Sequence, residues 1–339
     1  MMKSINSISE LYLPAIEKEL RSIIAMAYHH DLTEYIFMLE YHLGWEGEHA
    51  GPQASGKRIR PLLVLLTCAA AGGEWRQALP ASAAVELVHN FSLIHDDIQD
   101  NSPLRRGRPT VWKKWGVAQA INAGDSMFTL AFKALLRLQE TAAAEITIPA
   151  MRILQQACLQ LTQGQYMDMA YEKRGDLNLQ AYWPMVTGKT AALLSACTEL
   201  GALVAGCTPI VQATYRKFGY LLGLAFQAHD DFLGVWGDAA LTGKSTESDL
   251  VMGKKSLPVL YGLSQHGLFA QRWSKGPIQP DEVPALVAQL EIEGARIFTE
   301  KTAEDLTMQS LASLAEAHPR AEIGDELREL SLQLLGRKS

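Results

Sequence analysis

Apolar side chains recur at three- and four-residue steps along nearly the whole chain, and this rhythm limits what it can fold into. Between Pro80 and Asp100, Ala84, Leu87, Val88, Phe91, Ile94 and Ile98 follow the spacing of one helical stripe. That helix should start near Ala81–Ser82, after Pro80, and end where Asn101, Ser102 and Pro103 break it. The same reading predicts helices over roughly 9–30, 31–44, 58–71, 117–139, 146–173, 179–205, 209–236, 254–265, 281–296, 302–317 and 320–336. Gly72-Gly73, Gly175 and Gly206 are expected as C-terminal caps. There is no Asn-Gly or Asp-Gly hairpin turn and no sustained two-residue alternation to argue for strands. The expectation is an all-α protein, with 51–339 as one domain and 1–50 as a helical lead-in.

Composition removes several functional classes. Apolar residues make up 48 % of the 339 and charged residues 20 %, enough to build a core and too apolar for a disordered chain. The balance of 31 basic against 37 acidic side chains, net −6, argues against a nucleic-acid partner, and no row of aromatics accompanies the basic clusters. The four cysteines (Cys68, Cys158, Cys197, Cys207) lie far apart with no CxxC pair, so neither a zinc cluster nor a disulfide framework is expected. The most apolar stretch, Pro61 to Ala71, is shorter than the ~18 residues of a membrane span. The first residues carry Glu where a signal peptide would be apolar. These features together predict a soluble, cytoplasmic protein.

Chemistry concentrates in a few places. His95-Asp96-Asp97-Ile98-Gln99-Asp100 ends the apolar helix. Residues four apart share a helical face about 6 Å apart along the axis, so Asp96 and Asp100 present two carboxylates in line with Asp97 on the flank. Oxygen-only ligands of this kind suit Mg²⁺, which keeps waters and takes substrate phosphate oxygens. The competing reading is an ordinary solvated acidic helix end. A second acidic pair, Asp230-Asp231, lies near the end of another apolar run, and the recurrence favours a metal–diphosphate site. Basic groups accompany the acidic ones: Gly56-Lys57-Arg58-Ile59-Arg60 upstream, and Arg105-Arg106-Gly107-Arg108 just after the first acidic motif. Guanidinium groups bind phosphate oxygens bidentately and lysine acts as a point charge.

Together these residues resemble the trans-isoprenyl diphosphate synthases, the family of farnesyl and geranylgeranyl diphosphate synthases. Over about residues 50 to 265, eight short motifs stand in family order. Asp96 to Asp100 is similar to the first aspartate-rich motif and Asp230-Asp231 to the second. The remaining motifs are Gly56 to Arg60 (GKxxR), His89, Arg105-Arg106-Gly107 (RRG), Gly164 to Asp168 (GQxxD), Lys189-Thr190 (KT) and Phe226-Gln227 (FQ). The resemblance implies a helical bundle of the isoprenoid synthase type with a central active-site cavity. It implies three Mg²⁺ held by Asp96, Asp100, Asp168 and Asp230, with Asp97 in the same catalytic group. Arg105, Lys189 and Lys244 would face the allylic diphosphate. Lys57, Arg60, His89 and Arg106 would hold isopentenyl diphosphate, with Thr190, Gln227 and Lys254 also binding substrate.

The implied reaction is Mg-dependent condensation of isopentenyl diphosphate with dimethylallyl, geranyl or farnesyl diphosphate by a homodimer. Phe91, at the fifth position before the first motif, and the small Ser92 would set product length at C20, with C15 next. One departure stands out: Gly234 occupies the place of the usual third Asp of the second motif. Asp230, Gly234 and Asp238 are also similar to a metal motif of class I terpene cyclases, which leaves a cyclase as an alternative. A non-catalytic partner of another synthase is the third reading.

Overall fold

The computed structural model describes residues 5–237 and 248–336. Helices dominate it, as the periodicity predicts. The first part of the chain forms α1 (Ile5–Ala25), α2 (Thr33–His42), α3 (Pro52–Ser55), α4 (Ile59–Ala70), α5 (Leu79–Gln99), α6 (Val111–Trp115), α7 (Val117–Leu136), α8 (Leu138–Thr141) and α9 (Thr147–Glu172). The rest forms α10 (Tyr182–Val186), α11 (Ala192–Val204), α12 (Pro209–Trp236), α13 (Ser248–Val251), α14 (Leu257–Ser264), α15 (Leu268–Trp273), α16 (Val283–Ile292), α17 (Ala295–Glu316) and α18 (Ala321–Leu334). They make up two compact units, Met1–Leu154 with Cys197–Gln212 and His318–Leu330, and Gln155–Ala196 with Ala213–Ala317 and Ser331–Ser339.

In the first unit, α4 is apolar on every side and buries each residue from Pro61 to Ala70, which marks it as a core helix. Ile16, Leu20, Ile23 and Ile24 of α1 belong to the same buried set, as do Leu87, Val88 and Ile94 of α5. Helix α5 begins two residues earlier than expected because Pro80 fits its first turn, where a missing N–H loses nothing. Helices α5 and α7 approach closely at Gly124: a Cβ there would lie 2.3 Å from Nε2 of His95.

Between them in sequence lies an element the helical rhythm did not foresee. Leu104–Arg105 (β1) pairs antiparallel with Arg108–Pro109 (β2). The two residues joining them, Arg106 and Gly107, both have positive φ (53° and 73°), as a tight hairpin turn of the I′ kind requires.

The second unit holds a core of Val235, Leu250, Val259, Phe269, Ile278, Val283, Leu286, Leu290 and Ala295. The expected single helix over 179–205 is interrupted here. Tyr182–Val186 is α-helical, Thr187–Ala191 takes the wider π-helical turn, and α-helix resumes at Ala192. Two glycines account for the packing at this point. A Cβ on Gly164 of α9 would lie 2.0 Å from the Lys189 backbone nitrogen, and one on Gly188 would lie 2.5 Å from the Gln160 carbonyl oxygen. Backbone meets backbone, and no side chain fits between.

Other expectations shift at helix ends. Gly72 and Gly206 take the left-handed conformation of a cap, but Gly175 does not; the helix before it has already ended at Glu172. The break expected near 297–301 lies instead at Gly294, whose φ of 86° separates α16 from α17. Among the described residues no helix is long and apolar enough to cross a membrane.

Candidate active site

The last turn of α5 separates neighbouring carboxylates by direction. The Asp100 N–H donates to the Asp96 carbonyl oxygen at 2.8 Å, so helical geometry persists and the two side chains share a face. Asp96 is half-buried and Asp100 exposed. Asp97 turns inward and is 2 % exposed. Arg105 grips it, with Nε 2.9 and 3.0 Å from the two carboxylate oxygens and Nη2 2.8 Å from Oδ1. Burial pushes the Asp97 carboxyl up, and the Arg105 guanidinium only partly opposes that. Asp97 therefore anchors the RRG hairpin, while Asp96 and Asp100 lie on the other side of the helix end. Oxygen donors at the open end of a helix, where the backbone dipole adds negative potential, fit Mg²⁺ with its retained waters.

Two turns earlier on α5, His89 meets Arg60, with Nε2 3.2 Å from Arg60 Nη1. Arginine only donates, so Nε2 accepts and the imidazole proton sits on Nδ1. Burial, then the charges of Arg60, Arg106 and Arg105, hold His89 well below its ordinary pKa. Arg106 lies over Gly56 and donates to the Ala54 carbonyl oxygen at 2.7 Å. A Cβ at Gly56 would come within 2.5 Å of its guanidinium, so the glycine of one motif makes room for the arginine of another. Lys57 is exposed beside them. Tyr41, His42, Asp97, Arg105, Arg106 and Thr110 help line a small cleft.

His42 is a residue that the sequence reading missed. Its Nε2 is buried without a hydrogen-bond partner. Burial first, then Arg105, Arg106, Arg58 and Arg108, push its pKa down to about 3. Between that value and its ordinary 6.5 the unfolded chain binds a proton that the folded chain does not. Stability should therefore fall as pH drops through this window, by up to about 1.4 kcal/mol per pH unit for this one imidazole. Urea unfolding of wild type and His42→Gln between pH 7 and 5 checks this. The variant should show the flatter profile, and equal slopes would refute the assignment.

The second unit carries the other acidic motif. Asp230 is exposed on α12. Asp231 is buried and accepts from the Leu257 backbone N–H (2.8 Å) at the start of α14 and from Gln227 Nε2 (2.8 Å). Burial pushes its carboxyl up to about 7 in spite of these donors. The Tyr182 hydroxyl is buried against it without a hydrogen bond of ordinary geometry. Both acidic pairs thus place one carboxylate outward and the next inward, as the 100° step of a helix dictates.

Thr190 and Gln227, expected at substrate, are joined to each other: the Thr190 hydroxyl donates to Gln227 Oε1 at 2.7 Å. Lys189, carried by the π turn, pairs with Asp168 of α9. Lys254 is half-buried, whereas Lys255 is buried and donates to the Glu172 and Gly253 carbonyl oxygens, each at 3.2 Å. Lys244 and Asp238 lie outside the described residues. Phe91 of α5 packs edge-on to His95 (4.9 Å between ring centres) and against Phe128 of α7 (5.0 Å), with Ser92 half-buried beside it.

Arg58, quoted in the basic motif but given no role, is 4 % exposed and bridges Glu17 and Glu86. The available signal was Glu86 itself, a lone acid in the apolar run of α5. Arg108 is also structural. It donates to the carbonyls of Tyr41 (2.8 Å), Glu46 (2.6 Å) and Glu48 (3.0 Å).

Comparison with solved structures defines the class: this is an all-α protein of the isoprenoid synthase fold. A polyprenyl synthetase from Streptomyces coelicolor A3(2) superposes with a TM-score of 0.87 at 34 % identity, covering 98 % of this chain and 99 % of that one. Among curated relatives, a geranylgeranyl diphosphate synthase of Mycobacterium tuberculosis is 39 % identical over 287 residues, 83 % of this chain and 81 % of that protein. A (2E,6E)-farnesyl diphosphate synthase of Mycobacterium bovis is 37 % identical over 312 residues, 89 % and 86 % of the two chains. The polyprenyl synthetase family matches residues 49–290. The chain belongs to that family and is a trans-prenyltransferase.

Proposed function

We propose that this enzyme condenses isopentenyl diphosphate head-to-tail with an allylic diphosphate (dimethylallyl, geranyl or farnesyl), giving mainly geranylgeranyl diphosphate (C20) with farnesyl diphosphate (C15) next. The observation that carries the reading is the arrangement along α5. Helix α5 bears His89, which pairs with Arg60 of α4, and, seven residues on, the Asp96/Asp100 face, about 10 Å further along its axis. That spacing leaves room for a five-carbon unit between two phosphate-binding ends.

Lys57, Arg60, His89 and Arg106 hold the diphosphate of isopentenyl diphosphate. Asp96, Asp100 and Asp230, with Asp168 beside Lys189, are the residues that would hold three Mg²⁺ against the allylic diphosphate. Magnesium bound there supplies neutralisation of the leaving group. Arg105, Lys189 and Lys244 add positive charge around the same diphosphate. The allylic C–O bond breaks, the isopentenyl double bond forms the new C–C bond, and a proton leaves to the departing diphosphate. Asp97 and Asp231 hold the hairpin and the start of α14 in position, and Thr190, Gln227 and Lys254 support substrate binding.

Incubating the purified protein with Mg²⁺, isopentenyl diphosphate and each allylic diphosphate tests the reading. Longer diphosphates support it; hydrocarbons or alcohols would indicate a cyclase, and no product a non-catalytic partner. Product length gives a sharper test. If the aromatic row of Phe91, Phe128 and Phe132 floors the pocket, Phe91→Ala should lengthen the product by one or more five-carbon units. The half-buried ring should cost no more than about 3 kcal/mol of stability. An unchanged distribution from a folded variant would place the floor elsewhere. We further propose a homodimer, supported by Val117, Ile121 and Leu136 exposed on α7. A cytoplasmic location is supported by four cysteines that are all free. Residues 51–339 form the catalytic domain in this reading.

A further inference from the structure

We propose that the N-terminal helices α1 and α2 are part of the substrate site: Glu17 and the Leu43 carbonyl hold Arg58, and Arg58 thereby positions Lys57 and Arg60 for a diphosphate. The diphosphate assignment rests on the function proposed above. The clamp itself rests on geometry within the first unit.

Arg58 occupies the left-handed region with φ of 49°, as the residue that caps the start of α4. A long side chain seldom adopts this conformation, and it persists only where surrounding contacts over-determine it. Here they do. Nε donates to Glu17 Oε1 of α1 at 2.7 Å, Nη1 to Glu86 Oε1 of α5 at 2.8 Å, and Nη2 to the Leu43 carbonyl oxygen just past α2 at 3.2 Å. Burial opposes the charge, but Glu86 and Glu17 outweigh it and keep the guanidinium firmly protonated. Three elements far apart in sequence therefore converge on one strained residue.

That residue does not face substrate, because its side chain is only 2 % exposed. Its neighbours are placed differently. Lys57 is exposed, and Arg60 reaches the His89 ring. Glu17 is itself fixed by a second donor, Trp45 Nε1 at 2.6 Å, and Trp45 lies under Arg21 of α1 at 4.3 Å. The segment 1–50 thus supplies an acid, a carbonyl and an indole to set the backbone between Gly56 and Arg60. Glu19, two residues along α1, makes a comparable ion pair with Arg137 at 2.7 Å past the end of α7 and does not touch this loop. It provides an internal control of the same chemistry on the same helix.

The test compares wild type, Glu17→Gln and Glu19→Gln by steady-state kinetics and by amide hydrogen exchange over residues 51–62. Glu17→Gln should raise KM for isopentenyl diphosphate about tenfold, with kcat and the allylic KM within about twofold of wild type. Exchange over 51–62 should accelerate. Glu19→Gln should lower Tm yet leave that KM and that exchange unchanged. Wild-type KM and exchange in Glu17→Gln would overturn the proposal, as would the same KM rise in Glu19→Gln, which would signify general loosening of α1. A wild type that makes no prenyl diphosphate would overturn the functional reading alone. The exchange rates would then decide the clamp: faster exchange over 51–62 in Glu17→Gln only upholds it, and unchanged exchange refutes it.

Discussion

Asp96→Ala should lower kcat by about a thousandfold or more and leave the fold intact. A carboxylate that holds a metal against a leaving diphosphate contributes several kcal/mol to the transition state, and each 1.36 kcal/mol is about a tenfold rate change. The same side chain contributes little to folding. It is half-buried in the last turn of α5, where a negative charge opposes the helix dipole. Its removal should therefore change stability by no more than about 0.5 kcal/mol. Turnover at saturating Mg²⁺ together with urea unfolding gives both quantities. Near-normal turnover would refute the metal assignment. Asp97→Ala supplies the contrast: it removes a buried partner of Arg105, so its first effect should fall on stability.

The second large effect is expected far from the acidic motifs. Glu86→Ala leaves the buried Arg58 guanidinium with Glu17 and the Leu43 carbonyl only, and it removes one of the two acceptors of Asn90 Nδ2, the carboxylate oxygen at 3.0 Å. Breaking one side of a buried ion pair typically destabilises by about 3–5 kcal/mol, because the remaining charge stays in a poorly solvating interior. That is a large fraction of the ~5–15 kcal/mol that holds a typical domain folded. Chemical denaturation should show the loss. The double variant Glu86→Leu with Arg58→Met should recover part of it, since apolar side chains of similar size need no counter-charge. A Glu86→Ala protein as stable as wild type would mean that the Arg58 charge is met by other groups.

Much of this was readable along the chain. The 3.6-residue rhythm located the long helices to within a few residues, and the i, i+4 relation of Asp96 and Asp100 followed from helix geometry alone. The misses share one cause. The turn around Lys189 looked like continuous helix because nothing local marks a π turn; its backbone contact with α9 at Gly164 accompanies it. The RRG segment carried no hairpin signal because its turn is Arg106-Gly107 instead of the usual Asn-Gly. The hydrogen bond between Thr190 and Gln227 gave no local signal because it spans 37 residues of sequence.

Local spacing along the chain settles the helical class, the placement of acids at helix ends with basic groups beside them, and the shared face of Asp96 and Asp100. All of these depend on interactions a few residues long, which the 100° step of the helix sets. Packing between distant segments sets which member of each pair is neutralised, and by what. Asp97 found Arg105 across a hairpin, Asp231 found the Leu257 N–H at the start of another helix, and Arg58 found Glu17 and Glu86 on helices that precede and follow it. A buried charge accepts no solvent partner, so its counter-group must come from whichever segment packing brings within about 3 Å. That choice is made only when the helices meet.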